Sequence, residues 1–239
     1  MIAYKFLSRG AVGLFSRYAW PTPAGETPGE WVRVDGEIQP CLNGIHACSP
    51  ERLAEWIDEE LWEIELEDPV VEAADGELVS QAGRITSRMA GWNDELARTF
   101  VARCVDNAVS VAAESLARSG RAAEAELLAA SRSGPDAERN VLEIARSFEG
   151  EPPSPVLFMA DVKRLERGTR PELADEAPAE DAGGPTSSAV AANLGFVCAH
   201  IAAQLAEEER SGAYGETFER ERLSQSAWLA EKLQLADHA

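Results

Sequence analysis

The hydrophobic period changes once along this chain, and that change limits the folds open to it. Before about residue 90, apolar side chains alternate with polar ones, as in Tyr4-Lys5-Phe6 and Trp62-Glu63-Ile64-Glu65-Leu66. From Trp92 onward they recur at three and four positions. A period of two marks a strand with one buried face, whereas 3.6 marks a helix. The chain is therefore expected to be α+β: a small mixed β-sheet domain over residues 1–90, followed by an Ala-rich helical bundle over 91–239.

The local signals fill in that outline. Trp31-Val-Arg-Val34 reads as a strand ending at Asp35-Gly36, a hairpin-type turn. Ser49 fits a helix cap and Pro50 the first helical position, with Leu53, Trp56 and Ile57 on one face. Ala74-Asp75-Gly76 interrupts the chain before Leu78-Val79 and Ile85 resume it. Asn93 caps a helix running to about Arg118, with Leu96, Phe100, Cys104 and Val111 on one stripe and Gly120 as its end. Further helices are expected over 121–131, 136–148, 187–211 and 216–235. Ser133-Gly-Pro-Asp136 reads as a turn and 150–155 as a break. Residues 168–188, rich in Pro, Gly, Ser and acids, read as a mobile linker.

Charge excludes some functions. The 239 residues hold 42 acidic and 22 basic side chains, a net charge of −20. Phosphate backbones and anionic membranes need a basic surface, so no direct nucleic-acid or membrane binding is expected. The N-terminus lacks the apolar core of a signal peptide, and no window of about 18 residues is uninterruptedly apolar. Four cysteines are too few for a disulfide scaffold, so the cytoplasm is the expected compartment. Cys104 and Cys198 fall in helical patterns and are read as core residues.

Two stretches carry candidate chemistry. The first is Cys41-Leu-Asn-Gly-Ile-His46-Ala-Cys48. Gly44 permits a tight turn, and His46 enters a strand. Cys41, His46 and Cys48 are soft ligands within eight residues, a spacing that zinc could use, but a fourth ligand is missing nearby. The favoured reading packs all three around the turn, with no metal and no cofactor. Of the other histidines, His200 reads as a satisfied interior side chain and His238 as frayed. The second stretch is 51–77, with twelve acids against the single base Arg52. One strand would place Glu63, Glu65 and Glu67 on one face about 6.7 Å apart, near the spacing of phosphates along one DNA strand. Glu59, Glu60, Glu63, Glu65 and Glu67 are the candidate binding residues, forming an acidic face for a basic partner.

Two resemblances bear on these stretches. Ala3-Tyr4-Lys5-Phe6, Gly44-Ile45-His46-Ala47-Cys48, Ser49-Pro50 and Leu61–Leu66 together resemble uncharacterised bacterial and phage domains. In those, a Gly-hydrophobic-His-x-Cys motif precedes a short helix. The same order is distantly similar to the ADP-ribosyltransferase and RNA 2′-phosphotransferase fold. That resemblance implies a nicotinamide cleft, for which Tyr4, His46 and Glu63 or Glu65 are the available catalytic residues. In the helical half, Phe100-Val-Ala-Arg-Cys104 and Arg222-Leu-Ser-Gln225-Ser-Ala-Trp228-Leu229 resemble a bacterial family described as immunity proteins. The expectation is a non-catalytic, immunity- or adaptor-like protein that binds a protein partner. A group-transfer enzyme, or a degenerate relative of one, is the first alternative and a DNA-mimicking inhibitor the second.

Overall fold

The computed structural model describes residues 1–74, 76–131, 137–149, 159, 162–163 and 186–235. It is α+β, with a seven-stranded sheet first and helices after. The strands are β1 (Ile2–Leu7), β2 (Val32–Arg33), β3 (Ile45–Cys48), β4 (Glu60–Leu66), β5 (Val70–Glu72), β6 (Glu77–Ser80) and β7 (Ala82–Arg88), in the order β2-β7-β4-β1-β3-β6-β5. Every strand pair is antiparallel, so the expected mixed sheet is corrected. A period of two reports a buried face and says nothing about the direction of the neighbouring strand. The strand ending at Asp35-Gly36 is also no hairpin arm, because β2 pairs with β7.

Contacts gather the chain into two compact units, Met1–Leu96 with Leu223–Ala239, and Ala97–Arg222. In the first, one sheet face holds Ala3, Leu7, Ile45, Ala47, Trp62, Ile64, Leu66, Leu78 and Ile85. Ala11 and Trp20 from the long connection after β1 join that core, and Val32 of β2 and Val34 just beyond it pack against it. The expected alternation of β4 is therefore seen, with Trp62, Ile64 and Leu66 turned inward. The opposite face carries Tyr4, Phe6, Cys48 and Val79, all buried. Phe6 meets Trp92 edge to face at 5.4 Å, and the Trp92 indole donates to the Asp58 carbonyl at 2.8 Å. The Ser49-Pro50 start is observed as a 3₁₀ helix, Pro50–Trp56, with Leu53 and Ala54 buried. Its Ser49 hydroxyl bonds Glu51 at 3.4 Å rather than capping a backbone amide.

The helices are α1 (Asp94–Arg118), α2 (Ala122–Ala130), α3 (Ala137–Arg146), α4 (Ser187–Glu209) and α5 (Tyr214–Leu233). Asn93 does cap α1, its Oδ1 accepting the Leu96 amide at 3.0 Å, and Gly120 at φ +82° follows the helix end. Within the second unit, Phe100, Val105, Leu128, Val141, Ile144, Leu194, Cys198 and Ile201 form a buried apolar interior. Gly195 of α4 lets Phe100 approach, since a Cβ there would stand 3.1 Å from its ring. Arg118 at the end of α1 pairs with Glu209 at the end of α4. Among the described residues α4 alone is long and apolar enough to cross a membrane by length and composition, and 56% of its apolar window is buried within the fold. The turn at 133–136 and the break at 150–155 lie outside the described residues. So does the expected linker from 168 to 185; Thr186 instead caps α4 by accepting the Ala189 amide at 3.2 Å.

Candidate functional site

Gly44 fixes how β3 enters the sheet. Its φ is +150°, and a Cβ there would lie 2.3 Å from Val79 Cγ1, so only glycine fits without a shift. The strand that follows places His46 opposite Val79 and Cys48 opposite Glu77. Glu77 is 4% exposed and collects the motif's polar atoms. Its Oε2 lies 3.9 Å from His46 Nε2 and 3.8 Å from Cys41 Sγ. The Lys5 ammonium, 5.4 Å from the Trp20 ring centroid, donates to the His46 carbonyl at 2.5 Å. Burial lowers its pKa to about 8, against the opposing pull of Cys48 and Glu77.

The remaining candidates in this region are held protonated. Burial pushes the Cys48 thiol up to about 12, and its Sγ lies 3.4 Å from the Tyr4 carbonyl. The Tyr4 hydroxyl is also shifted upward, by burial first and then by Glu63 and Cys48, in a residue only 2% exposed. Both shifts move the anionic form, the one a base or nucleophile needs, farther from neutral pH. His46 keeps 27% of its side chain exposed and has a carboxylate beside it. Cys41, His46 and Cys48 do not converge on one point: Cys41 turns to Glu77 and Cys48 to Tyr4. Among the described residues no group of three or more His, Cys, Asp and Glu side chains is arranged to hold a metal.

The acidic stretch folds back on the sheet unit's own bases and amides. Ser8 Oγ donates to Asp58 at 2.7 Å, the Arg9 amide to Glu59 at 2.8 Å and the Ala11 amide to Glu60 at 3.0 Å. Three successive carboxylates thus clamp the start of the loop after β1. Glu60 also accepts from the Trp62 indole at 3.2 Å and lies 3.3 Å from Arg88. Burial alone would raise its pKa. The amides of Ala11 and Gly10, the Trp62 indole and Arg88 outweigh that, holding it below the usual carboxylate value. Farther along β4, Thr86 donates to Glu63 at 2.6 Å, and Arg84 pairs with Glu65 at 2.6 Å. Arg33 grips Glu67 through two contacts of 2.5 and 2.8 Å. In the row expected to face solvent, Glu67 is exposed and Glu63 and Glu65 are half-buried, while the candidate Glu60, which alternation puts on the other face, is buried.

Glu77 and Lys5 are the two functional-looking residues that the linear reading left out. Glu77 was one acid among twelve, and its partners lie 31 and 36 residues away. Of the other histidines, His200 bonds the Tyr214 hydroxyl at 2.7 Å and stacks on the exposed Phe196, so it is satisfied but half-buried rather than interior; His238 lies outside the described residues.

No family model matches this chain, and no curated protein or solved structure is significantly similar to it.

Proposed function

We propose that this protein is a non-catalytic recognition module, of the immunity or adaptor kind, whose partner is a basic protein. The observation that carries this reading is how the sheet unit spends its bases. Residues 1–96 contain 18 acidic and 7 basic side chains. Four of the seven, Arg9, Arg33, Arg84 and Arg88, are paired with Glu59, Glu67, Glu65 and Glu60. A fifth, Lys5, turns to the His46 carbonyl. Bases held in internal pairs leave the acid excess to set the outward field, and such a field speeds encounter with a partner of opposite sign. No disulfide joins the four cysteines, which fits a reducing compartment such as the cytoplasm.

The buried, protonated Tyr4 and Cys48 favour recognition over group transfer. The pairing of Glu63, Glu65 and Glu67 with Thr86, Arg84 and Arg33 likewise disfavours phosphate mimicry, because one oxygen of Glu63, one of Glu65 and both of Glu67 already have partners within the sheet unit. The test is capture from a lysate of the source organism on the immobilised full chain, eluted with a sodium chloride gradient. A basic protein released by rising salt is the expected result. A thermal shift on adding nicotinamide adenine dinucleotide, with no basic protein retained, would reverse the ranking.

A further inference from the structure

The loop between β1 and Trp20 presents large apolar side chains to solvent on a rigid base. Phe15 is 84% exposed, and Leu14 and Tyr18 are 44% and 45% exposed. The segment is not slack. Ser8 and Val12 exchange backbone bonds at 2.8 and 3.1 Å, and the Gly13 amide donates to the Tyr18 carbonyl at 2.8 Å. The Arg17 amide closes back on the Gly13 carbonyl at 2.9 Å, and the Trp20 amide reaches the Ala11 carbonyl at 2.9 Å. Trp20 itself is in the sheet core, with Tyr18 edge-on to it at 6.0 Å. Below this, the carboxylates of Asp58, Glu59 and Glu60 hold Ser8, Arg9 and Ala11.

We infer that Leu14 and Phe15 form a preorganised apolar anchor that enters an apolar pocket on a positively charged partner protein. This rests on the basic-partner reading above and names the surface that would make the contact. Charge decides among the possible occupants. The loop itself carries Arg17 and the Glu59-paired Arg9, but at long range the net charge of −20 repels an anionic lipid surface or a second copy of the chain and attracts a basic protein. Long-range attraction then brings the partner in, and the aromatic tip supplies the desolvated contact in which binding energy concentrates. A tip fixed before binding loses little further freedom on docking.

The test compares capture from the source lysate by the full-length parent and by Phe15→Asp, alongside p-benzoylphenylalanine placed at position 15 for photo-crosslinking. Phe15→Asp adds negative charge, so a purely electrostatic contact would not weaken. The anchor instead requires a loss of roughly tenfold or more in retained basic protein, and a crosslink to that same protein. Equal retention by parent and variant would overturn the anchor while leaving the basic partner standing. Absence of any basic protein from the parent column would overturn both readings. A crosslink only to a second copy, or Phe15-dependent retention on phosphatidylcholine vesicles, would overturn the proposed occupant. Because Phe15 touches so little of the fold, the variant should melt within a degree or two of the parent, which a thermal scan checks.

Discussion

Glu60 and Lys5 are single charges placed where the sheet unit admits little water, and each ties stability to pH in the same sense but in a different window. Glu60 has its folded pKa held below the unfolded value near 4.5. Its contribution is therefore present above that value and is lost as pH falls through the folded one. Glu60→Gln gives up the Arg88 charge pair and weakens the clamp on Ala11. It should lower unfolding free energy at neutral pH by about 2 kcal/mol, the scale for hydrogen bonds to a buried charged group. Urea titrations at pH 7 and pH 3 check this, because the gap between parent and variant should narrow at the lower pH. Lys5 acts in a higher window, and there it is the charged form that folding disfavours. Its folded pKa near 8 lies below the unfolded 10.5, so between those values the unfolded chain binds more protons. Stability should rise across that window as pH rises. Lys5→Met removes the titrating group, and the urea midpoint of that variant should show a smaller rise between pH 8 and pH 10.

Among the elements, β3 depends on one residue. Gly44→Ala would combine a left-handed backbone with a methyl 2.3 Å from Val79, a side chain that is fully buried. A loss of about 2 kcal/mol or more is expected in chemical denaturation, in the range for strain at a special backbone angle together with overpacking. That glycine was legible from the sequence, as were the inward side of β4, the Asn93 cap and the spans of the long helices. Each of those is written within a few residues of itself. What escaped the linear reading depends on pairing. The clamp joins residues 58–60 to 8–11, and Glu77 meets Cys41 and His46 only once β6 lies beside β3. Nothing local distinguishes a carboxylate that will face a distant arginine from one that will face water. The acidic stretch accordingly read as a solvated face when much of it is internal bonding.

At the scale of the whole molecule, the sheet unit is assembled from both ends of the chain. Residues 1–96 and 223–239 share one set of contacts, and 97–222 form the other. Within the first set, the Ala54 amide donates to the fully buried Ser226 hydroxyl at 3.0 Å, and Leu229 is likewise fully buried. A chain stopped after Arg222 should therefore keep its strand sequences but lose part of their cover. Its sheet unit should melt earlier than in the parent and bind a hydrophobic dye, while an unchanged melting profile would mean that 223–239 add nothing to it. The same discontinuity sets an order of events on the ribosome. Synthesis proceeds at about 5–20 residues per second, so the 126 residues of the second unit take roughly 6–25 s to appear. Throughout that interval the nascent strands wait for segment 223–239. Residues 1–96, although made before 97–222, are thus the later of the two to be finished, and they are most open to chaperones during the delay.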